Sequence, residues 1–262
     1  DSTTIDLCLE LFHWAKFRRH KGGIKLHVLY DIEAQVPAFF HVTPASVNDV
    51  KVMPEIPYEK GAVYIFDRGY NDFDNLYKIE LIEATFVVRA KRNLKFKQIS
   101  WKRRLPKNVL SDSTIEFTVY KSSKEYPVPL RRVVFYDEEQ DREFVFLTNN
   151  FESPALTVAE LYRNRWQVEL FFKWLKQHLK IKKFWGTTEN AVRIQTYCAI
   201  ITYCLVSIVK HDMKLERSVY EILQITGISL TDKTHLRDLF DRSNINNVNE
   251  RFGYSEPSLF NF

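Results

Sequence analysis

The sequence predicts an α/β fold in which helices pack on a mixed β-sheet, and three observations carry that prediction. Residues 1–91 alternate β-forming runs with helix-forming ones, residues 92–150 switch to strand-like segments alone, and from Thr157 to about Phe240 the chain reads as mostly helical. No internal repeat or low-complexity linker breaks this order. At 262 residues the chain can bury a sizeable core, and 45% hydrophobic against 27% charged residues is the balance of a soluble globular protein. The expected division is therefore 1–91, the first part of a core; 92–150, a β-rich insertion; and 151–262, a helical part that completes the core.

Residues 22–42, GGIKLHVLYDIEAQVPAFFHV, read as an alternating strand, a turn over Asp31–Gln35 and a second strand, hence a hairpin. Pro44, Asn48 and Asp49 punctuate the chain before a short helix predicted around Val50. VYIF at 63–66 is a compact apolar run closed by Asp67 and Gly69, the pattern of a buried central strand followed by a turn. Residues 71–83 put Phe73, Leu76, Ile79 and Leu81 or Ile82 on one helical face, and TFVVRAK at 85–91 is a further strand. Within 92–150, IEFTVYK, LRRVVFYD and EFVFLTN read as antiparallel strands. The most apolar stretch, Val192–Val209, contains Arg193 and Gln195 and reads as a buried helix, not a membrane span. The Asn-, Ser- and Pro-rich end reads as a loosely held tail.

A net charge of +5 says little about partners, but its distribution says more. Lys91–Lys107 holds eight Lys or Arg and no acid, and Lys173–Lys183 is a second basic run; either taken alone is as readily a solvated face as a binding face. On a helix running from Thr157, at about 100° per residue, Tyr162, Arg165, Glu169, Lys173, Lys176, Lys180 and Lys183 fall within roughly 80°. Leu161, Val168, Phe171, Phe172, Leu175 and Leu179 lie opposite and would pack on the sheet. One acid thus stands alone among cations, where a plain surface helix mixes signs. The bland alternative is that Glu169 simply pairs with Arg165 and Lys173.

Asp67 sits where a buried strand gives way to a Gly-containing turn, the position at which open α/β sheets gather ligand groups, although Asp-Arg-Gly is also an ordinary turn sequence. Asp1 opens DSTTID, which could equally cap a helix over LCLELF. Chemistry gives a reason to join the three. Two divalent ions about 3.5–4 Å apart can activate an attacking oxygen and stabilise a leaving one in phosphodiester displacement. Hard ions such as Mg²⁺ take carboxylate oxygens and keep positions open for water and phosphate. Asp1, Asp67 and Glu169 would supply such a site, with Lys173, Lys176 and Lys180 holding the DNA backbone beside it.

DSTTID, IFDRGYNDF and YRNRWQVELFFKWLK resemble the three signature regions of bacterial insertion-sequence transposases with an Asp-Asp-Glu triad. Tyr162, Arg165, Glu169 and Lys176 match, at all four positions, the Tyr-Arg-Glu-Lys signature of one branch of that class, and WAKFRRHKGGIKLHVLYD and FVVRAK are similar to it as well. The resemblance implies a ribonuclease-H-like fold with a mixed five-stranded sheet flanked by helices, a β-rich insertion before the last catalytic helix and a helical C-terminal part. It implies that Asp1 ends the first strand, that Asp67 ends the fourth, and that Glu169 lies on the helix after the last. It further implies Mg²⁺, with Mn²⁺ as substitute, on Asp1, Asp67 and Glu169. Tyr162, Arg165 and Lys176 would contact transposon-end DNA, and the partners would be double-stranded DNA of the terminal inverted repeats and the target, with a homodimer when DNA is bound. With Asp1 at a strand's end, the first strand would lie upstream of residue 1, and with no initiator Met the chain is expected to begin inside a longer protein.

The leading expectation is cut-and-paste transposition: cleavage at the transposon end, then strand transfer to target DNA, through a hairpin in some relatives. The alternative is a domesticated or truncated transposase that binds DNA without catalysis. A two-carboxylate glycosidase is opposed by the electrostatics, since cations around Glu169 favour its ionised form and that chemistry needs a protonated acid. Cys8, Cys198 and Cys204 show no metal spacing and fit reduced thiols, Cys198 and Cys204 as core residues, and with no signal-peptide pattern or membrane span the chain is expected in the bacterial cytoplasm, on the nucleoid when DNA is bound. His27 and His41 read as structural strand residues, and Trp166 and Trp174 as packing residues, with base stacking by Trp166 as an alternative.

Overall fold

The computed structural model describes residues 1–18, 21–179, 181, 183–229 and 235–242. The chain divides into two compact units, Asp1–Ala199 and Ile200–Phe262. In the first unit ten strands form two sheets. One is antiparallel: β3 (Lys21–Asp31) pairs with β1 (Ser2–Leu7), with β4 (Val36–Pro44) and with the short β2 (Lys16–Arg18). The other has the order β5-β6-β10-β9-β8-β7, built from β5 (Val63–Phe66), β6 (Thr85–Arg89), β7 (Phe96–Trp101), β8 (Val109–Phe117), β9 (Leu130–Asp137) and β10 (Arg142–Thr148). Its β5–β6 pair is parallel and the rest antiparallel, so this sheet is mixed, as expected.

Period-two alternation decides which side chain enters which core. In β5 and β6, Tyr64, Phe66, Phe86 and Val88 point to one face, where Leu76 and Ile79 of α1 (Phe73–Leu81) and Tyr126 beyond α2 (Tyr120–Glu125) cover them. Val87, Val133, Phe144 and Phe146 point to the other face, under Ala155, Val158, Ala159 and Tyr162 of α3 (Ala155–Arg163). The antiparallel sheet is covered in turn by α4 (Trp166–His178), whose Phe171 ring lies 5.2 Å from that of Tyr30 on β3.

Several expectations are corrected. Asp1 does not end a strand; it precedes β1, and its backbone extends the ladder, with the Val28 N–H donating to the Asp1 carbonyl at 2.8 Å. No helix forms over LCLELF, because residues 2–7 are drawn into pairing with β3. The described strands lie in sheets of four and six, not in one sheet of five. β5 is the end strand of its sheet, not a central one; Tyr64 and Phe66 are buried on one of its faces, among Met53, Tyr70, Leu76 and Ile79. Within 92–150, β10 hydrogen-bonds along β6 and continues its sheet. The strand expected over IEFTVYK ends at Phe117, and Tyr120 starts a helix. β7 lies inside the basic run, and its residues Lys97–Trp101 are all exposed, so no buried apolar face marks it as a strand.

In the C-terminal unit, α6 (Val219–Ile228) begins with a capping box: Ser218 accepts from the Glu221 N–H while Glu221 accepts from the Ser218 N–H. Ile222 and Phe240, the latter on α7 (Leu236–Arg242), are buried with Val206. The expected buried helix is α5 (Glu189–Asp212); Val192, Ala199, Ile200, Tyr203 and Val206 are buried, but Ile194, Ile201, Leu205 and Ile208 are more than half exposed. By length and composition α5 could cross a membrane. Cys198 is exposed and Cys204 half-buried, so Cys198 is not the core residue expected.

His27, the one buried histidine among the described residues, gives a test of this packing. His27 is buried on β3, its Nε2 2.9 Å from Thr43 Oγ1, and burial lowers its pKa from 6.5 to about 4, outweighing the attraction of Asp49. Between those two values the unfolded chain binds the proton that the folded chain excludes, so stability is present above pH 6.5 and is lost as pH falls towards 4. At about 1.4 kcal/mol per unit this is on the order of 3 kcal/mol. Denaturant titrations between those pH values are expected to show this loss in the parent and a smaller one in His27→Gln.

Candidate active site

The sequence places a carboxylate at Asp67 by ending β5 there and turning at once into a single 3-10 turn, Arg68–Tyr70. Asp67 Oδ1 accepts from the Gly69 N–H at 2.7 Å, so the side chain caps the turn that it starts. Asn71 ties this turn to the end of β6, its Nδ2 donating to the carbonyls of Arg68 and Arg89, and Arg68 Nε donates to the Ala90 carbonyl. The functional and structural readings of DRGY therefore coexist in one side chain.

Glu169 stands in the first turn of α4, where the helix dipole favours an anion. The helix is not the continuous one expected from Thr157. At Asn164 and Arg165 the backbone bonds run from i to i−3 (Asn164 N to Leu161 O, 3.1 Å; Arg165 N to Tyr162 O, 3.0 Å), so the chain is overwound between α3 and α4. Overwinding interrupts the predicted single helix, although Tyr162, Arg165, Glu169, Lys173 and Lys176 still line one cleft. Glu169, Lys173 and Lys176 share a face of α4, Arg165 precedes its first turn, Tyr162 belongs to α3, and Lys183 lies beyond the helix end at His178. Lys180 lies outside the described residues.

These elements surround one open cleft of about 620 Å³, lined by Asp1, Asp67 and Glu169 together with Tyr162, Arg165, Lys173 and Lys176. Two more cations line it that the sequence reading missed, Arg68 and Arg89. The available signal for Arg89 was its place at the end of β6, the parallel neighbour of the strand that ends at Asp67. The cleft thus presents five cations (Arg68, Arg89, Arg165, Lys173, Lys176) against three carboxylates, a balance suited to a polyanion.

The contacts differ residue by residue. Arg165 donates through Nη1 to Asp1 Oδ2 at 2.6 Å and through Nη2 to Glu169 Oε1 at 2.5 Å, drawing together acids 168 positions apart. Burial alone would lower the Arg165 pKa, but the hydrogen bond to Glu169 and the negative charges of Glu169 and Asp67 hold it above its ordinary value, so it stays a cation. Lys176 Nζ donates to Thr3 Oγ1 and to the Thr4 carbonyl, which fastens α4 to β1. Tyr162 is buried with its ring 4.8 Å from that of Phe146, and burial, followed by the opposing pull of Arg165 and Arg89, leaves its hydroxyl pKa raised. Burial and then Arg68 lower the pKa of Arg89, whose guanidinium lies 4.7 Å from the Phe144 ring. Trp166 is half exposed at the start of α4.

The donors Asp1, Asp67 and Glu169 are all oxygens, the set a hard divalent ion prefers. As placed they do not form a closed cage: among the described residues no three acidic, His or Cys side chains are gathered closely enough to hold an ion. His27 Nε2 lies 2.9 Å from Thr43 Oγ1, and His41 Nδ1 lies 3.2 Å from Glu55 Oε2.

Comparison with known proteins gives consistent results. Residues 1–205 match a family model described as a transposase DDE domain. The chain is 38% identical over 250 residues to a Sinorhizobium fredii protein named as a transposase, y4zB, covering 94% of this chain and 67% of that protein. It is 34% identical over 206 residues to a Geobacillus stearothermophilus protein named as a transposase for insertion sequence element IS5377, covering 78% of this chain and 54% of the relative. A Synechocystis protein named as a transposase for element IS4SA is 25% identical over 216 residues, covering 79% and 58%. The chain therefore spans between about half and two thirds of the length of these relatives.

Proposed function

The chain belongs to the DDE-domain transposases of insertion sequences, and from that premise we propose that it is the part that cleaves the phosphodiester at transposon ends and transfers the freed strand to target DNA. The observation that carries this reading is the convergence of Asp1, Asp67 and Glu169, remote in sequence, on one cationic cleft. In this reading the three carboxylates hold Mg²⁺ or Mn²⁺, which when bound supplies Lewis-acid polarisation of the scissile phosphate and of water. The fold is read as ribonuclease-H-like, with 92–150 as the family's β-rich insertion, and Tyr162, Arg165, Glu169 and Lys176 as the signature of the Tyr-Arg-Glu-Lys branch.

The chain's own groups have separable tasks in this proposal. Arg68 and Arg89, at the ends of adjacent strands, bind non-bridging phosphate oxygens, a geometry for which guanidinium is suited. Lys173 and, in sequence, Lys180 follow the DNA backbone and carry no base information. Lys176 acts in part by fixing β1, and with it Asp1, against α4. Tyr162 lines the cleft beside Arg165, whose guanidinium stands 5.8 Å from its ring centroid. The active assembly is proposed as a homodimer on two transposon ends.

The test is nicking of a duplex carrying the element's terminal repeat by the full-length protein, with and without Mg²⁺ or Mn²⁺. Metal-dependent nicks at the repeat boundary are expected. A gel shift with no cleavage under either ion would replace this reading with the binding-only alternative. A second variant tests the cap at Asp67. A Cβ on residue 69 would stand 2.9 Å from Asp67 Oδ1 and 3.7 Å from its Cγ, so Gly69→Ala must turn that carboxylate away. Because about 1 Å of misplacement costs on the order of 10²-fold in rate, cleavage is expected to fall by about that factor. Thermal unfolding should move little, since the atom displaced is the end of an accessible side chain.

A further inference from the structure

We propose that Arg165 is a displaceable internal counter-ion of this cleft: its guanidinium holds Asp1 and Glu169 before a divalent ion arrives, and such an ion takes its place on both carboxylates. The inference rests on the reading of Asp1, Asp67 and Glu169 as metal ligands.

Two nitrogens of one planar group each donate to a different acid, Nη1 to Asp1 Oδ2 and Nη2 to Glu169 Oε1, as short charge-assisted bonds. The Glu169 contact alone could be an ordinary i, i+4 pair on a helix. The Asp1 contact cannot, because it crosses from the start of α4 to the edge of β1. Two carboxylates lining one cleft repel each other unless a cation neutralises them, and Arg165 is the group placed to do so. Lys176 Nζ, which lines the same cleft, donates to Thr3 Oγ1 and the Thr4 carbonyl.

The same arrangement explains why the ligand set is not closed. While the guanidinium spans Asp1 and Glu169, their oxygens are turned to its nitrogens and not to a common point with Asp67. Arg165 Nε is buried without a hydrogen-bond partner, so the bridging posture leaves one donor unsatisfied. A buried unpaired donor is costly, and it lowers the barrier to leaving that posture. Arg165 also lies against the Tyr162 ring, 5.8 Å from its centroid, which gives the side chain an alternative surface within the cleft. The consequence is a competition: a divalent ion must break two charge-assisted bonds to bind, so the parent protein binds it more weakly than its carboxylates alone would.

The test measures Mn²⁺ binding to the full-length protein without DNA, by the electron paramagnetic resonance signal of the free ion. Arg165→Gln is expected to bind Mn²⁺ roughly tenfold more tightly than the parent, the loss of one to two charge-assisted bonds expressed as affinity. Arg165→Lys, which keeps the charge but loses the fork, is expected to lie between them. Equal or weaker Mn²⁺ binding by folded Arg165→Gln and Arg165→Lys overturns the proposal. Glu169→Gln separates the two layers: if it abolishes binding while the Arg165 variants change nothing, only the counter-ion role fails. If it binds Mn²⁺ as the parent does, the metal-ligand reading fails and the counter-ion role with it.

Discussion

Glu169→Gln is expected to reduce metal-dependent cleavage by about 10³-fold or more, the scale seen when a member of a catalytic constellation is removed, while leaving the fold intact. The side chain is 58% exposed and its ion-pair partner is Arg165, so the substitution removes one accessible pair whose contribution to stability is small. Gln keeps the shape and one carbonyl acceptor for the Arg165 fork, and Asp1 still engages Nη1. What disappears is the charge needed to hold a divalent ion. Gel shifts on terminal-repeat DNA should persist, because the cations Arg68, Arg89, Lys173 and Lys176 are untouched. Cleavage at the parental rate by Glu169→Gln would remove this residue from the ligand set and return it to the bland role of partner to Arg165.

Much of this site was legible in the sequence because its anchors are local. VYIF runs from Val63 to Phe66 as β5 and ends at Asp67 because a turn residue follows an apolar run, a rule that needs no tertiary information. The inner face of α4 is equally local: Val168, Phe171, Phe172 and Leu175 are all buried. The helical wheel assumed one helix with 3.6 residues per turn across Asn164, whereas i to i−3 bonds there split it into α3 and α4. Tyr162, Arg165, Glu169, Lys173 and Lys176 still line one cleft, while the Tyr162 ring also packs on Phe146. Asn at the end of α3 was the signal available, since Asn favours helix termini. Pairings across the chain were out of reach: that Lys176 would reach Thr3, that Arg165 would reach Asp1, or that β10 would lie along β6 depends on contacts 57 to 173 residues apart, which no local pattern encodes. The family signature brought Asp1 into the set where periodicity could not, and it misplaced the strand around it.

The largest effect on stability is expected far from the carboxylates, at Arg131. This side chain is 1% exposed, and its Nε and Nη2 each donate to Asp112, itself 3% exposed, at 2.8 Å. Its Nη1 donates to the carbonyls of Asn150 and Ser153, so one guanidinium ties β8 and β9 to the turn that launches α3. Arg131→Ala leaves a buried carboxylate with only Lys102 at 3.0 Å, a half-exposed partner, and strips two carbonyls of their donor. Removing one member of a buried pair costs about 3–5 kcal/mol, a large share of the 5–15 kcal/mol that typically holds a domain together. The cost should depend on pH in a defined direction. Burial pushes the Asp112 carboxyl up, but hydrogen bonds from Arg131 and Lys102 prevail and hold it below its ordinary value, so the pair's contribution is present above about pH 4 and is lost as pH falls through the folded value. Urea titrations of Arg131→Ala should therefore show the deficit at neutral pH and a smaller one in acid. The double variant Arg131→Met with Asp112→Leu should recover most of it, because two apolar side chains leave no buried charge unpaired. If the single and double variants are equally destabilised, the ion pair is not what closes this corner. The packing of β8 and β9 beneath α3 then carries the stability by itself, and through α3 the position of Tyr162 and Arg165.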